Sequence, residues 1–219
     1  MVPSDPLPGH TFYLLGLDLG ESADHSALAV VRRVQHPQRA EAAQYAVQSL
    51  RRWDLHTPYR TVVEDVRQLL EQPSLAQMRC VLAMDKTGVG APVVEMVQQA
   101  DLPLPRLFPI FIHGGEKARE ADGTWRVPKR HLASTLAVLL QARRLQIAPA
   151  LPLAQTLAEE LANFRVKIDP KTAHESFAAW REKEHDDLVL ATALACWVGE
   201  QVPLELGRPT LRVRAGPPR

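Results

Sequence analysis

Apolar and polar positions along this chain follow two rhythms, and each change of rhythm marks an element. The run "FYLLGLDLG" at 12–20 is apolar nearly throughout, as a buried strand requires. "HSALAVVRRV" at 25–34 and "AQYAVQSLRRWDL" at 43–55 follow across polar connections, so the three predict a meander. In "YRTVVEDVRQLLEQ" (59–72) the period lengthens, placing Val62, Val63, Val66, Leu69 and Leu70 on one helical face with charges opposite. "RCVLAMD" (79–85) returns to a continuous apolar run, and "TGVGAPVVEMVQQA" (87–100) supplies a glycine turn and then a helix. Strand, turn and helix in that order predict parallel pairing and an α/β sheet. "RLFPIFIHG" (106–114) reads as a further strand. "GEKAREADGTWR" reads as a mobile polar excursion with a turn at Asp122-Gly123. "PKRHLASTLAVLLQARRL" (128–145) predicts one helix, opened by Pro128 and closed by Arg143 and Arg144, which complement its dipole. "LPLAQTLAEELANF" (151–164) gives another helix, and "RVKIDPKTAHESFAAW" (165–180) a hairpin or loop before the last one.

The last helix raises a chemical question. In "EKEHDDLVLATALACWVG" (182–199), Asp186 and Asp187 open a run in which only Thr192 is strongly polar from Leu188 to Val198. Such a helix is covered on most sides. Its N-terminus favours one negative charge, and a second carboxylate beside it invites a cation. Two strands also end in aspartate, "LLGLD" at Asp18 and "VLAMD" at Asp85. Functional groups gather at the carboxyl ends of strands in α/β sheets, so these two can lie side by side with Asp186 and Asp187 closing the cluster. Carboxylates within about 4–6 Å raise each other's pKa unless cations neutralise them. All-oxygen ligation favours Mg2+ or Mn2+ over zinc, and two such ions about 3.5–4 Å apart suit in-line phosphodiester displacement.

The neighbouring polar residues carry less. Asp24, across a turn from Asp18, reads as either a turn residue or an accessory ligand. Glu21 reads as a solvated turn residue. His185 reads as a structural neighbour of the helix start or a group that polarises a water. Glu64, Asp65, Glu159 and Glu160 read as ordinary solvated or structural charges.

Composition narrows the setting. The 219 residues are 46% hydrophobic and 23% charged, which fits one folded domain over about 12–200. Residues 1–11 are expected to form a flexible leader, and 201–219 a disordered basic tail with Arg208, Arg212, Arg214 and Arg219. A net charge of +1 gives no general basic signature, so any nucleic acid has to be held by local patches. Lys129, Arg130, Arg165 and Lys167 are the candidates, with Lys117 and Arg119 nearby. Cys80 and Cys196 sit in apolar runs without metal-ligand spacing and read as buried reduced thiols of a cytosolic protein. No apolar run reaches membrane-span length and the N-terminus has no signal pattern, which points to the cytoplasm and no membrane.

"GLDLGESADHSALAVV", "MDKTGVGAPVVEMV", "LAEELANFRV" and "EHDDLVLATALA" occur in an order and spacing that resembles the nuclease domain of phage large terminases. The resemblance covers about 12–200. It implies a ribonuclease H-like α/β fold, a mixed β-sheet flanked by helices. It further implies that Asp18, Asp85 and Asp187 are catalytic and carry the metals, with Asp186 adjacent and Asp24 an accessory. Asp187 is preferred to Asp186 only by its place in the family pattern, which leaves Asp186 mainly to support the helix start. A lysine commonly stands at the place of Lys129 in that family, and an acidic residue often stands where this chain has Leu190. The implied activity is a metal-dependent endonuclease on double-stranded DNA with little sequence preference. Its setting would be the host cytoplasm of a phage or prophage, with a separate packaging ATPase or portal as partner. No Walker pattern G-x-x-x-x-G-K-[ST] occurs, so the sequence carries no motor of its own. A Holliday-junction resolvase on the same fold and a non-catalytic DNA-binding packaging partner are the alternatives.

Overall fold

The computed structural model describes residues 11–21, 24–35, 42–104, 106–166 and 186–202. The strands are β1 (Thr11–Asp18), β2 (Ala27–Val34), β3 (Gln44–Arg52), β4 (Cys80–Asp85), β5 (Arg106–His113), β6 (Arg119–Ala121), β7 (Thr124–Pro128) and β8 (Leu145–Ile147). The helices are α1 (Tyr59–Glu71), α2 (Gly90–Gln99), α3 (Lys129–Gln141), α4 (Ala154–Val166) and α5 (Asp187–Gln201). One mixed sheet runs in the order β6-β7-β5-β4-β1-β2-β3-β8. The meander β1-β2-β3 is antiparallel, and β1, β4, β5 and β7 are parallel to one another.

Two cores lie on the two faces of this sheet. Leu14, Val81 and Ala83 point into the core shared with α3, α4 and α5, while Leu15, Leu17, Leu82 and Met84 point into the one under α1 and α2. Burial on both faces is why β1 and β4 read as continuous apolar runs rather than alternating ones. Helix α5 is buried from Asp187 through Gly199. It lies directly on β1 at Gly16, where an added Cβ would come within 2.9 Å of the Ala191 carbonyl carbon and the Ala195 nitrogen. Glycine inside a strand often marks such a backbone approach. The far end of α5 is fastened by Arg144, which donates to both oxygens of Glu200 at 2.6 and 2.9 Å, and by Tyr45, whose hydroxyl donates to Glu200 at 2.7 Å. Trp197 meets Trp125 edge to face, with ring centroids 5.3 Å apart.

Two expectations need correction. The excursion after β5 is a hairpin, not a mobile loop: β6 and β7 pair across Asp122 (φ 52°) and Gly123 (φ 69°), and β7 extends the sheet beside β5. Asp-Gly with both φ positive is a two-residue hairpin turn, but β6 is three residues long and fully exposed, so no apolar alternation announces it. The helix expected over 128–145 stops at Gln141. Arg143 turns the chain at φ 53°, and Leu145–Ile147 form β8 against β3. Arg144 consequently serves Glu200 rather than the dipole of its own helix.

Cys80 and Cys196 are free and buried, and burial pushes the Cys80 thiol up to about 12 and Cys196 upward as well. No helix among the described residues is long and apolar enough to cross a membrane. The leader through His10, most of 165–180 and the tail from Pro203 lie outside the described residues.

Candidate active site

The parallel register of β1 and β4 pairs Leu17 with Met84, so Asp18 and Asp85 are the next residues on adjacent strands. Alternation turns both toward α5, on the side of Leu14, Gly16, Val81 and Ala83. Each is 7% exposed. Beyond β4 the chain is held to β5: the Lys86 N–H donates to the Ile110 carbonyl at 2.7 Å, and the Ile112 N–H donates to the Thr87 hydroxyl at 2.9 Å. The Thr87 N–H in turn donates to Asp85 Oδ1 at 2.7 Å, which fixes that carboxylate at the strand end. The loop after β1 is tied down by the Tyr59 hydroxyl, which donates to the Gly20 carbonyl at 2.8 Å.

Helix α5 brings Asp186 and Asp187 to the same place. One cavity of about 240 Å³ is lined by Asp18, Asp24, Asp85, Asp186 and Asp187, together with Glu21, Lys129, Ile112, His113 and Leu190. Burial, then Asp85, Asp186 and Asp187, hold the Asp18 carboxyl well above the usual carboxylate range, and Lys129 pulls the other way. Lys129 Nζ lies 3.9 Å from Asp186 Oδ2. A cluster of carboxylates this buried is costly unless positive charge is supplied.

The start of α5 departs from the local expectation. Asp186 occupies the cap position, yet its side chain makes no capping hydrogen bond. The acceptor is Glu160 from α4, whose Oε2 takes the N–H groups of Leu188 and Val189 at 3.0 Å each. Its Oε1 takes a hydrogen bond from Arg52 at the end of β3, and the same Arg52 nitrogen lies 3.5 Å from Asp187 Oδ2. Burial first, then Asp187 and Asp186, push the Glu160 carboxyl up to about 7 against the opposing pull of the Val189 N–H and Arg52.

The five aspartates offer carboxylate oxygen, which fits a hard divalent cation, with His113 the one imidazole in the lining. Among the described residues no three His, Cys, Asp or Glu side chains stand as a ready-made cage. Asp85 Oδ1 accepts from the Thr87 N–H, while Lys129 and Arg52 stand at ion-pair distance, 3.9 and 3.5 Å, from Asp186 and Asp187.

Two solved forms of the human cytomegalovirus terminase nuclease domain match the chain. One, soaked with manganese and inhibitor-bound, superposes with TM-score 0.55 at 12% identity over 88% of this chain and 85% of that one. The other, soaked with manganese, gives TM-score 0.52 at 12% identity over 91% and 89%. The fold is ribonuclease H-like. No protein-family model matches the sequence, and no curated protein matches it.

Within this ribonuclease H-like frame the structure brings Asp18, Asp24, Asp85, Asp186, Asp187 and Lys129 together. Arg130 is exposed on α3 beside Lys129, and Lys117 and Arg119 are exposed near the hairpin. The Arg165 side chain, Lys167 and His185 fall outside the described set. Leu190 does line the cavity, where it supplies an apolar wall. Sequence reasoning passed over Gly16, Arg52 and His113. Gly16 alone had a local signal, a glycine inside an apolar strand. Glu160 takes the structural of its two readings, buried against α5 rather than solvated.

Proposed function

We propose that the chain is a divalent-metal-dependent endonuclease of the terminase type, acting on double-stranded DNA with little sequence preference. The observation that carries the reading is the gathering of Asp18, Asp85, Asp186 and Asp187 around one cavity at the carboxyl ends of β1 and β4. Three buried carboxylates with a fourth, partly exposed, beside them are a poor stability device and a good cation site. Terminase nuclease domains share the fold, which adds weight to the same chemistry.

In this reading Asp18, Asp85 and Asp187 hold two Mg2+ or Mn2+ ions, Asp24 approaches from the loop after β1, and Asp186 stands beside them. The ions would supply Lewis acidity and a nucleophilic hydroxide for in-line displacement at phosphorus. Lys129, at the first position of α3, offers a positive charge to a phosphate entering the cavity. Arg130 extends that charge along the surface, and Arg165 and Lys167 are proposed as further phosphate contacts. Leu190 and Ile112 supply apolar surface beside the carboxylates. A packaging ATPase or portal would be the partner in a phage or prophage setting.

Supercoiled plasmid and a synthetic four-way junction, each incubated with Mg2+, Mn2+ or chelator, test this directly. Plasmid should be cut with Mn2+ at least as well as with Mg2+, because magnesium sheds its waters reluctantly, and not at all with chelator. Cutting confined to the junction would favour the resolvase alternative. Asp187→Asn should abolish cleavage, since an amide cannot supply the anionic oxygen that balances a divalent cation. Asp186→Asn should cost less, because Asp186 is the more exposed of the two carboxylates, 25% against 4%, and water can stand in for part of what it offers an ion. Equal residual activity in the two variants would reject that division, and full activity in both would reject the site.

A further inference from the structure

Asp187 shares its nearest cation with another acid. Arg52 Nη2 donates to Glu160 and lies 3.5 Å from Asp187 Oδ2, and the three side chains are 18%, 6% and 4% exposed. They come from the end of β3, the middle of α4 and the first turn of α5, so only the tertiary fold unites them. Glu160 is anchored independently by the N–H groups of Leu188 and Val189. Its position is therefore tied to the first turn of α5, the turn that carries Asp187. The Arg52 guanidinium is only partly used: its buried Nε–H has no hydrogen-bond partner among the described residues. A guanidinium can grip a carboxylate through two parallel hydrogen bonds, so Arg52 has the capacity for a firmer hold on Asp187 than it exerts.

We propose that Arg52 and Glu160 are positioning residues for Asp187: Glu160 pins the start of α5 and draws Arg52 partly away, and Arg52 is the resident cation that a divalent ion displaces from Asp187. The pair thus sets how readily the site takes metal. With Glu160 anionic, Arg52 is divided between two carboxylates and Asp187 is released at modest cost. With the Glu160 charge removed by substitution, the whole guanidinium charge falls on Asp187 and competes with the ion. With Arg52 replaced by a neutral residue, Asp187 has lost its competitor and the cluster has more to gain from metal.

The inference rests on the metal-site reading above, and its test reads metal binding without DNA. Mn2+ binding to the full chain is followed by the electron paramagnetic resonance of free Mn2+, at fixed pH and salt. Wild type is compared with Glu160→Gln, Arg52→Gln and Arg52→Lys after melting has shown each to unfold cooperatively. Glu160→Gln keeps an oxygen for the Leu188 and Val189 N–H groups but loses the charge that holds Arg52. Its Mn2+ midpoint should rise by about tenfold, within the range typical of partners behind metal ligands. Arg52→Gln should lower the midpoint, and Arg52→Lys, which keeps the charge, should stay near wild type. A clamp that only held the fold would weaken binding in both neutralised variants. Movement of Glu160→Gln and Arg52→Gln in the same direction, or one midpoint for all four proteins, overturns the proposal. If Glu160→Gln fails to fold, Arg52→Gln against Arg52→Lys decides alone, and equal midpoints there reject the pair. Wild-type protein that neither binds Mn2+ nor cuts plasmid removes the nuclease reading and the pair together. Binding by wild type with no difference among the variants removes only the pair.

Discussion

Asp18→Asn should abolish cleavage and at the same time raise the melting temperature of the metal-free protein. The carboxylate it removes is buried, faces Asp85, Asp186 and Asp187, and is held well above its ordinary pKa by burial and by those neighbours. A folded-state pKa raised above the unfolded value means that folding favours the protonated form. The associated stability is complete below the unfolded value near 3.8 and is lost as pH rises through the folded pKa. At neutral pH the wild-type protein without metal therefore bears an electrostatic penalty that asparagine does not. The two melting temperatures should converge in acid and separate as pH rises, with the variant higher by about 2–4 °C for each kcal/mol of penalty relieved. Cleavage should fall by at least about 10³-fold, equivalent to about 4 kcal/mol of transition-state stabilisation. Calorimetry in chelator from acid to mildly alkaline pH, beside a plasmid assay in Mn2+, measures both. A variant no more stable than wild type at the alkaline end would refute the electrostatic account of the site, and retained cleavage would refute its chemistry.

The parts of the molecule that were legible in the sequence are those whose signals are local. Strands β1 and β4 are buried on both faces, so their apolar runs and terminal aspartates could be read directly, and parallel pairing then placed Asp18 beside Asp85. Helix α5 announced itself by lacking a polar face. What could not be read depends on contacts distant in sequence. Nothing local separates Glu160 from Glu159; the first is buried because α4 meets the start of α5 there, 28 residues before Leu188, while the second is exposed and bonded to Gln155. Arg51 and Arg52 are alike in sequence, but strand alternation sends Arg51 to Asp65 and Arg52 to Glu160 and Asp187. The expected cap at Asp186 failed for the same reason, since a carboxylate from another helix already satisfies the N–H groups. Strands β6 and β8 are three residues each, too short for a period to show.

Gly16→Ala should lower both stability and cleavage, two residues from a substitution that should raise the first while abolishing the second. Gly16 lies in β1 and is not among the residues with positive φ, so alanine meets no backbone strain and should suit a strand better than glycine. The penalty arises from contact alone. The new methyl would come within 2.9 Å of the Ala191 carbonyl carbon and the Ala195 nitrogen, and closer still to the Ala191 oxygen. These are backbone atoms inside a continuous helix, so no single side chain can turn away to make room. Helix α5 has to retreat as a body, and it is packed against the sheet, α3 and α4 on its other sides. Overpacking of this kind costs about 1–3 kcal/mol, which lowers the melting temperature by about 2–4 °C per kcal/mol in a chain of this size. The retreat carries Asp186 and Asp187 away from Asp18 and Asp85, which stay with the sheet. A displacement of about 1 Å between groups that act on one phosphate can cost about 10²-fold in rate, so cleavage should fall by at least that much. The Mn2+ midpoint should rise with it, because the carboxylates that share an ion no longer converge. Wild-type melting and cleavage in Gly16→Ala would show that α5 does not rest on β1 at this glycine, and the alignment of Asp187 with the strand ends would then need another cause.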